Sequence, residues 1–163
     1  MKIVVMGVSG CGKSSLGAAL AEQLGIPFLE GDALHPPANV EKMRSGTPLT
    51  DDDRWPWLTA VAQSLADRPS AVVSCSALKR SYRDHIRAGA GGDVRFIHLA
   101  GSRDLLARRM QERPGHYMPV SLLDSQLATL EPPGDDEALT VDIGLPPDAA
   151  VAAALDYVKG RQA

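Results

Sequence analysis

The chain has 163 residues, the length of one domain and enough to bury about 70% of its unfolded surface without disulfide or metal staples. Lys and Arg total 17 against 20 Asp and Glu, and the formal charge of −3 argues against a nucleic-acid partner, which demands a basic face. No apolar run reaches the ~20 residues of a membrane span, the N-terminus runs straight into a glycine-rich loop, and the 2 cysteines, Cys11 and Cys75, make no disulfide framework, so a cytoplasmic protein with no membrane partner is expected.

In chain order, Ile3-Val4-Val5-Met6 is a short unbroken apolar run, the pattern of a strand buried on both faces. Residues 13–24 carry Leu16, Leu20 and Leu24 on one helical face, and Gly25 with Pro27 ends that helix. Residues 27–29 read as a brief second strand and 39–44 as a helical turn or two closing at Gly46. Residues 57–66 set Leu58, Val61 and Leu65 on one side of a helix. A strand follows at 71–75, a charged helix at 78–88, a glycine-rich turn at 89–92 and a strand at 94–99. Helices at 104–111 and 121–130, a strand at 139–142 and a helix at 149–159 complete the chain. Strands alternate with helices and no linker or repeat divides them. The expected fold is therefore one α/β domain over residues 1–163, with a parallel sheet covered on both faces.

Between the first strand and the first helix, Gly7-Val8-Ser9-Gly10-Cys11-Gly12-Lys13-Ser14 fits the pattern G-x-x-x-x-G-K-[ST] in full. Glycines let the backbone curl so that its N–H groups face a β-phosphate, and the helix that follows offers its positive N-terminus to the same anion. Lys13 can reach the β- and γ-phosphates, the Ser14 hydroxyl can ligate Mg²⁺, and Ser9 and Ser15 complete the nucleotide-binding set. The glycine spacing is not the dinucleotide fingerprint. There is no Asn-Lys-x-Asp guanine-reading segment, and the apolar run before Ser74 has no Asp at its end, so the common metal-binding carboxylate is missing there. These absences favour a small-metabolite or nucleotide kinase over a GTP switch or an ATPase motor.

More particular runs follow. Gly31-Asp32-Ala33-Leu34-His35-Pro36 comes after the second strand, then Glu41-Lys42-Met43, Pro48-Leu49 and Asp51-Asp52-Asp53-Arg54. Cys75-Ser76-Ala77-Leu78-Lys79 and Tyr82-Arg83-Asp84 come after the third strand, and Arg113, Gly115-His116, Met118 and Ser125-Gln126 lie later. Together with the phosphate loop, and in order from about residue 3 to residue 143, these segments resemble the gluconokinase family. The resemblance implies a nucleoside-kinase-like three-layer fold with five parallel strands and a mobile lid at about residues 113–126. It implies ATP and Mg²⁺ as cofactors, D-gluconate as substrate and 6-phosphogluconate as product. Related enzymes are often homodimers, though no apolar stripe in this sequence demands one. Two positions depart from the family's usual pattern: Cys11 stands where Ser is usual, adding an oxidisable thiol, and Glu30 stands where Asp is usual.

Residue by residue, Asp32 lies just past a strand end, where α/β folds bind ligands, and can orient the 6-hydroxyl and accept its proton. The alternative for Asp32 is a turn residue that caps the next segment. His35 can hydrogen-bond a substrate hydroxyl or simply close the turn before two prolines. Glu30 carries over from the family a role in holding Mg²⁺ through water. The backbone N–H groups around Ser76 and Ala77 can face substrate, and Lys79 can approach substrate or phosphate. Arg109 and Arg113, four residues apart, share a helix face; in this class of fold the lid arginines lie on ATP, one of them at the transferred phosphoryl. His116 and Gln126 are expected beside the substrate as lid residues. The gluconate carboxylate calls for a guanidinium, and Arg54 is the candidate, with Lys79 and Arg83 next. Its alternative is a salt bridge to the acidic run 51–53, itself read as the N-terminus of a helix rather than a metal site. Two further readings stand beside this one: a shikimate-type or nucleoside-monophosphate-type kinase, and a module that binds ATP without transferring phosphate.

Overall fold

A computed structural model describes residues 1–112 and 120–160. Five strands, β1 (Lys2–Met6), β2 (Phe28–Glu30), β3 (Ala71–Ser74), β4 (Val94–Ala100) and β5 (Ala138–Asp142), form one parallel sheet in the order β2-β3-β1-β4-β5. β1 is central: Val4 lies opposite Val73 on one side and Phe96 on the other. Ile3 to Met6 are fully buried, as an unbroken apolar strand must be when helices cover both faces. Helix α1 (Lys13–Leu24) packs along β1, β2 and β3; α2 (Pro37–Arg44) follows β2; α3 (Asp51–Ala66) packs against α4 (Arg80–Ala90). Helices α5 (Arg103–Glu112) and α6 (Val120–Thr129) pack on each other, and α7 (Pro147–Gly160) returns onto α1. No described helix is long and apolar enough to cross a membrane.

Because all five strands run the same way, the segments after β1, β2 and β3 open on one edge of the sheet, where ligands bind in such folds. Gly31–Leu34 is a 3₁₀ turn, and α3 starts at Asp51, where the acidic run reads as a helix N-terminus, so the helical stretch expected over 57–66 begins six residues earlier. Pro56, the sixth residue of α3, obscures that start, because an interior proline removes one internal bond and its ring crowds the carbonyl four residues back. The real start is a capping box: Thr50 Oγ1 accepts from Asp53 N at 3.1 Å and Asp53 Oδ2 accepts from Thr50 N at 2.8 Å. The acidic run is the first turn of α3, and among the described residues no three His, Cys, Asp or Glu side chains gather as a metal cage. Of the expected lid, 113–119 lies outside the described residues, and 120–126 belongs to α6. That helix is tied to α5 by Arg103 Nε donating to Asp124 Oδ1 at 2.9 Å.

Candidate active site

The phosphate loop reaches α1 through Gly12, which caps the helix in the left-handed region (φ 89°). Gly10 is also left-handed (φ 84°), and a Cβ there would meet the Leu106 carbonyl oxygen at 2.7 Å. Past Gly12, the first N–H groups of α1 have no helical acceptor, and with the helix dipole they make an anion site. Lys13 Nζ lies across the loop and donates to the Val8 carbonyl at 3.2 Å. Cys11 is 2% exposed, and burial pushes its thiol pKa up, so the loop thiol is a packing residue rather than the oxidisable group expected from sequence. Cys75 is likewise buried, its pKa raised to about 12 by burial.

Ser14, Glu30 and Ser74 converge at the ends of three elements. Ser14 Oγ donates to Glu30 Oε1 at 2.8 Å, and Ser74 Oγ donates to the same oxygen at 2.6 Å. Gly31 N donates to Ser74 Oγ at 3.2 Å, and the backbones approach so closely that a Cβ on residue 31 would lie 1.8 Å from the Ser74 carbonyl oxygen. The carboxylate missing from the end of β3 is thus supplied from β2 and held by the β3 serine. A hydroxyl and a carboxylate side by side at the phosphate loop are hard oxygen donors of the kind Mg²⁺ takes.

Next to this lies a cavity that Lys13, Asp32, His35, Arg54, Ser76 and Gln126 all line, together with Trp57 and Ser125. The His35 ring stacks on Trp57 with centroids 4.0 Å apart, and Trp57 Nε1 donates to the Gly31 carbonyl at 2.9 Å. The His35 tautomer follows from its neighbour. Asn39 Nδ2 is 2.9 Å from the Asp53 carbonyl oxygen, which can only accept, so the amide nitrogen must face that way. The same nitrogen lies 3.2 Å from His35 Nδ1, which therefore accepts, leaving the hydrogen on Nε2. Burial lowers the His35 pKa to about 4; the Asp32 charge opposes this and the Arg54 charge adds to it. His35 is a neutral Nε2–H donor at pH 7, not a base.

That state has a measurable cost in acid. Between the unfolded value of 6.5 and the folded value of about 4, the unfolded chain binds more protons, so stability falls as pH drops through this window. His35 should remove about 2 kcal/mol at pH ~5 relative to neutral pH. Urea unfolding of wild type and His35→Gln at both pH values isolates the difference; equal losses in the two proteins would mean that the ring titrates normally.

Arg54 is 8% exposed, and its Nη1 donates to Tyr82 Oη at 2.9 Å. The alternative salt bridge to the acidic run does not form: Lys79 and Tyr82 take Asp51, and Lys42 takes Asp53 at 2.8 Å. Among the described residues the guanidinium has no other hydrogen-bond partner, and it lines the cavity. Gln126 also reaches the site from α6, its Oε1 accepting from Ser9 N at 2.7 Å. On the other side of the loop, Arg109 donates to the Ile143 carbonyl at 2.8 Å and lines a largely apolar cavity with Gly12, Ser15, Leu16 and Pro147, a surface suited to a flat base.

Three expected substrate contacts are not in the cavity. Lys79 sits on the rim, with Nζ 3.2 Å from Asp51 Oδ1. Ala77 is fully buried, its N–H directed at the Cys75 thiol, and supplies a left-handed turn (φ 47°). Arg83 is 1% exposed and faces the core: Nε meets Glu137 Oε1 at 2.6 Å, and the other nitrogens donate to the carbonyls of Ala77, Leu78 and Glu131. It braces the turn that carries Ser76 instead of reading a ligand. Arg113 and His116 lie outside the described residues. Sequence reasoning gave Trp57, Asn39 and Tyr82 no role in the site. Trp57, three residues past Arg54, carries an early signal, since residues three apart share a helix face.

A family model described as an AAA domain matches residues 3–133, so the chain belongs to that family. The gluconokinase of Gluconobacter oxydans is 57% identical over 139 residues, covering 83% of this chain and 78% of that protein. The chain belongs to the gluconokinase family. The thermoresistant gluconokinase of Escherichia coli is 45% identical over 163 residues, covering 96% of this chain and 92% of its own. The crystal structure of a gluconokinase from Sinorhizobium meliloti superposes with a TM-score of 0.87 at 54% identity, covering 99% of this chain and 97% of that one. The gluconokinase family likeness therefore extends over both the loop and the cavity beside it.

Proposed function

We propose that this chain transfers the γ-phosphoryl group of ATP to the 6-hydroxyl of D-gluconate, giving 6-phospho-D-gluconate and ADP. The observation that carries this reading is one cavity beside the phosphate loop that holds both the Asp32 carboxylate and the buried, under-used Arg54 guanidinium. Arg54 takes the gluconate carboxylate by paired hydrogen bonds, and the His35 Nε2–H donates to a hydroxyl of the chain. Asp32 orients the 6-hydroxyl and takes its proton as the oxygen–phosphorus bond forms and the bond from the γ-phosphorus to the bridging oxygen breaks. Lys13 and the N-terminus of α1 neutralise the phosphate charge that builds up. Ser14 and Glu30 would hold Mg²⁺, which when bound neutralises phosphate oxygens. Arg109 lies along the nucleotide, with Arg113 proposed at the transferred phosphoryl. The two unpaired cysteines suit a cytoplasmic enzyme.

The test is ADP release measured with gluconate, with its neutral polyol D-glucitol, and with no acceptor. Gluconate-dependent turnover is expected, and Arg54→Lys should raise the KM for gluconate ~10-fold or more with the KM for ATP nearly unchanged. ADP release indifferent to gluconate would overturn the reading. An unchanged preference for gluconate over D-glucitol in Arg54→Lys would make Arg54 structural.

A further inference from the structure

An arginine that reads a carboxylate must hold its planar fork still, because every rotamer it explores in the free enzyme weakens binding. The fork of Arg54 is held by a hydroxyl rather than by an acid. Tyr82 reaches it from α4 with a ring that is 1% exposed and wedged edge-on against Trp55 at 5.6 Å. The single hydroxyl hydrogen of Tyr82 goes to Asp51 Oδ1, so its lone pair is what meets Arg54 Nη1 at 2.9 Å. Asp51 is fixed in turn by Lys79 Nζ, 3.2 and 3.4 Å from its two oxygens. The guanidinium carbon of Arg54 lies 5.4 Å from the Tyr82 ring centroid, and Lys79 Nζ lies 5.6 Å from it.

We propose that Tyr82 is a positioning residue for substrate selection, its hydroxyl relaying the Asp51 anchor to Arg54 so that the guanidinium stays aimed at the cavity with its charge free for the gluconate carboxylate. The neutral phenol is the significant part. A carboxylate in direct contact with Arg54 would satisfy the same charge that the substrate must meet, and the substrate would have to displace it. A phenol oxygen occupies one N–H and keeps the Asp51 carboxylate one hydroxyl away from the guanidinium, out of direct contact with it. The chain Lys79, Asp51, Tyr82, Arg54 also gives a use to the residues that sequence alone read as an acidic helix start and a candidate substrate contact.

This inference rests on Arg54 as the carboxylate reader, and the test separates the two. Tyr82→Phe removes only the hydroxyl. It is expected to raise the KM for gluconate ~10-fold, the usual size for losing a hydrogen bond to a charged group, while kcat at saturation and the KM for ATP stay within ~2-fold. The preference for gluconate over D-glucitol should shrink by a similar factor, which a merely structural tyrosine would not do. If Tyr82→Phe does not fold, the exposed Asp51→Asn carries the test, with an expected rise of ~3-fold in the gluconate KM. Should Arg54→Lys shrink the preference while Tyr82→Phe, or Asp51→Asn in its place, leaves it intact, the positioning role is overturned and the Arg54 reading stands. Should none of them change it, the Arg54 reading falls as well.

Discussion

Asp32→Asn should bind ATP as the wild type does and lose ~10²–10⁴ in kcat, the range a positioned base contributes. The substitution is nearly isosteric and leaves a group that can still hydrogen-bond the 6-hydroxyl, so the KM for gluconate should move little. What it removes is the ability to take the proton. His35 cannot take over, because Nδ1 is engaged by Asn39 and Nε2 already carries its hydrogen. Glu30 cannot either, since it does not line the cavity and its Oε1 accepts from both Ser14 and Ser74. Asp32 is therefore the free acid of the cavity among the described residues. Steady-state kinetics with both substrates varied, plus ATP binding by calorimetry, check this. A kcat within ~3-fold of wild type with a raised gluconate KM would make Asp32 a positioning group.

The parts of the site that were legible in the sequence are those whose chemistry is written in contiguous residues. The phosphate loop states its own geometry, and Asp32 and His35 follow a strand end by two and five residues. The order of strands and helices came through for the same reason: each apolar run is local. Arg83 was misread, and Lys79 set in the cavity rather than on its rim, because a cation on or just before a helix looks the same in sequence whether it faces a ligand, the solvent or the core. The partner that decides the matter for Arg83 is Glu137, 54 residues away. Tyr82 was visible in the motif but had no role until α3 and α4 packed and set its hydroxyl between Arg54 and Asp51, 28 and 31 residues distant. Ser74 is a similar case. The absence of an acid at the end of β3 was read correctly, while its replacement by a serine bound to Glu30 needs the β2–β3 pairing to be seen.

Arg83→Met should destabilise the fold by about 3 kcal/mol, the lower end of what breaking a buried ion pair costs. The lower end applies because Arg87 Nη2 still donates to Glu137 Oε1 at 2.9 Å when Arg83 is gone. The loss has two parts. Glu137 keeps a 3% exposed side chain with one cation instead of two, and the carbonyls of Ala77, Leu78 and Glu131 lose their donor. Burial alone would raise the pKa of Glu137; the hydrogen bonds from Arg83 and Arg87 outweigh it and hold the carboxyl below its ordinary value. A depressed carboxyl stabilises above its unfolded pKa and loses that contribution as pH falls through the folded one, so the gap between wild type and Arg83→Met should narrow in acid. Denaturant unfolding at neutral and acid pH measures both effects. Pairing Arg83→Met with Glu137→Gln should restore part of the stability, since the buried charge goes with its partner. The non-Gly left-handed turn at Ala77 should be the first place to relax, because Arg83 Nη1 on its carbonyl, at 2.8 Å, helps hold that strained backbone in place. If the double variant is no more stable than Arg83→Met, the carbonyl bonds and not the ion pair are what Arg83 contributes.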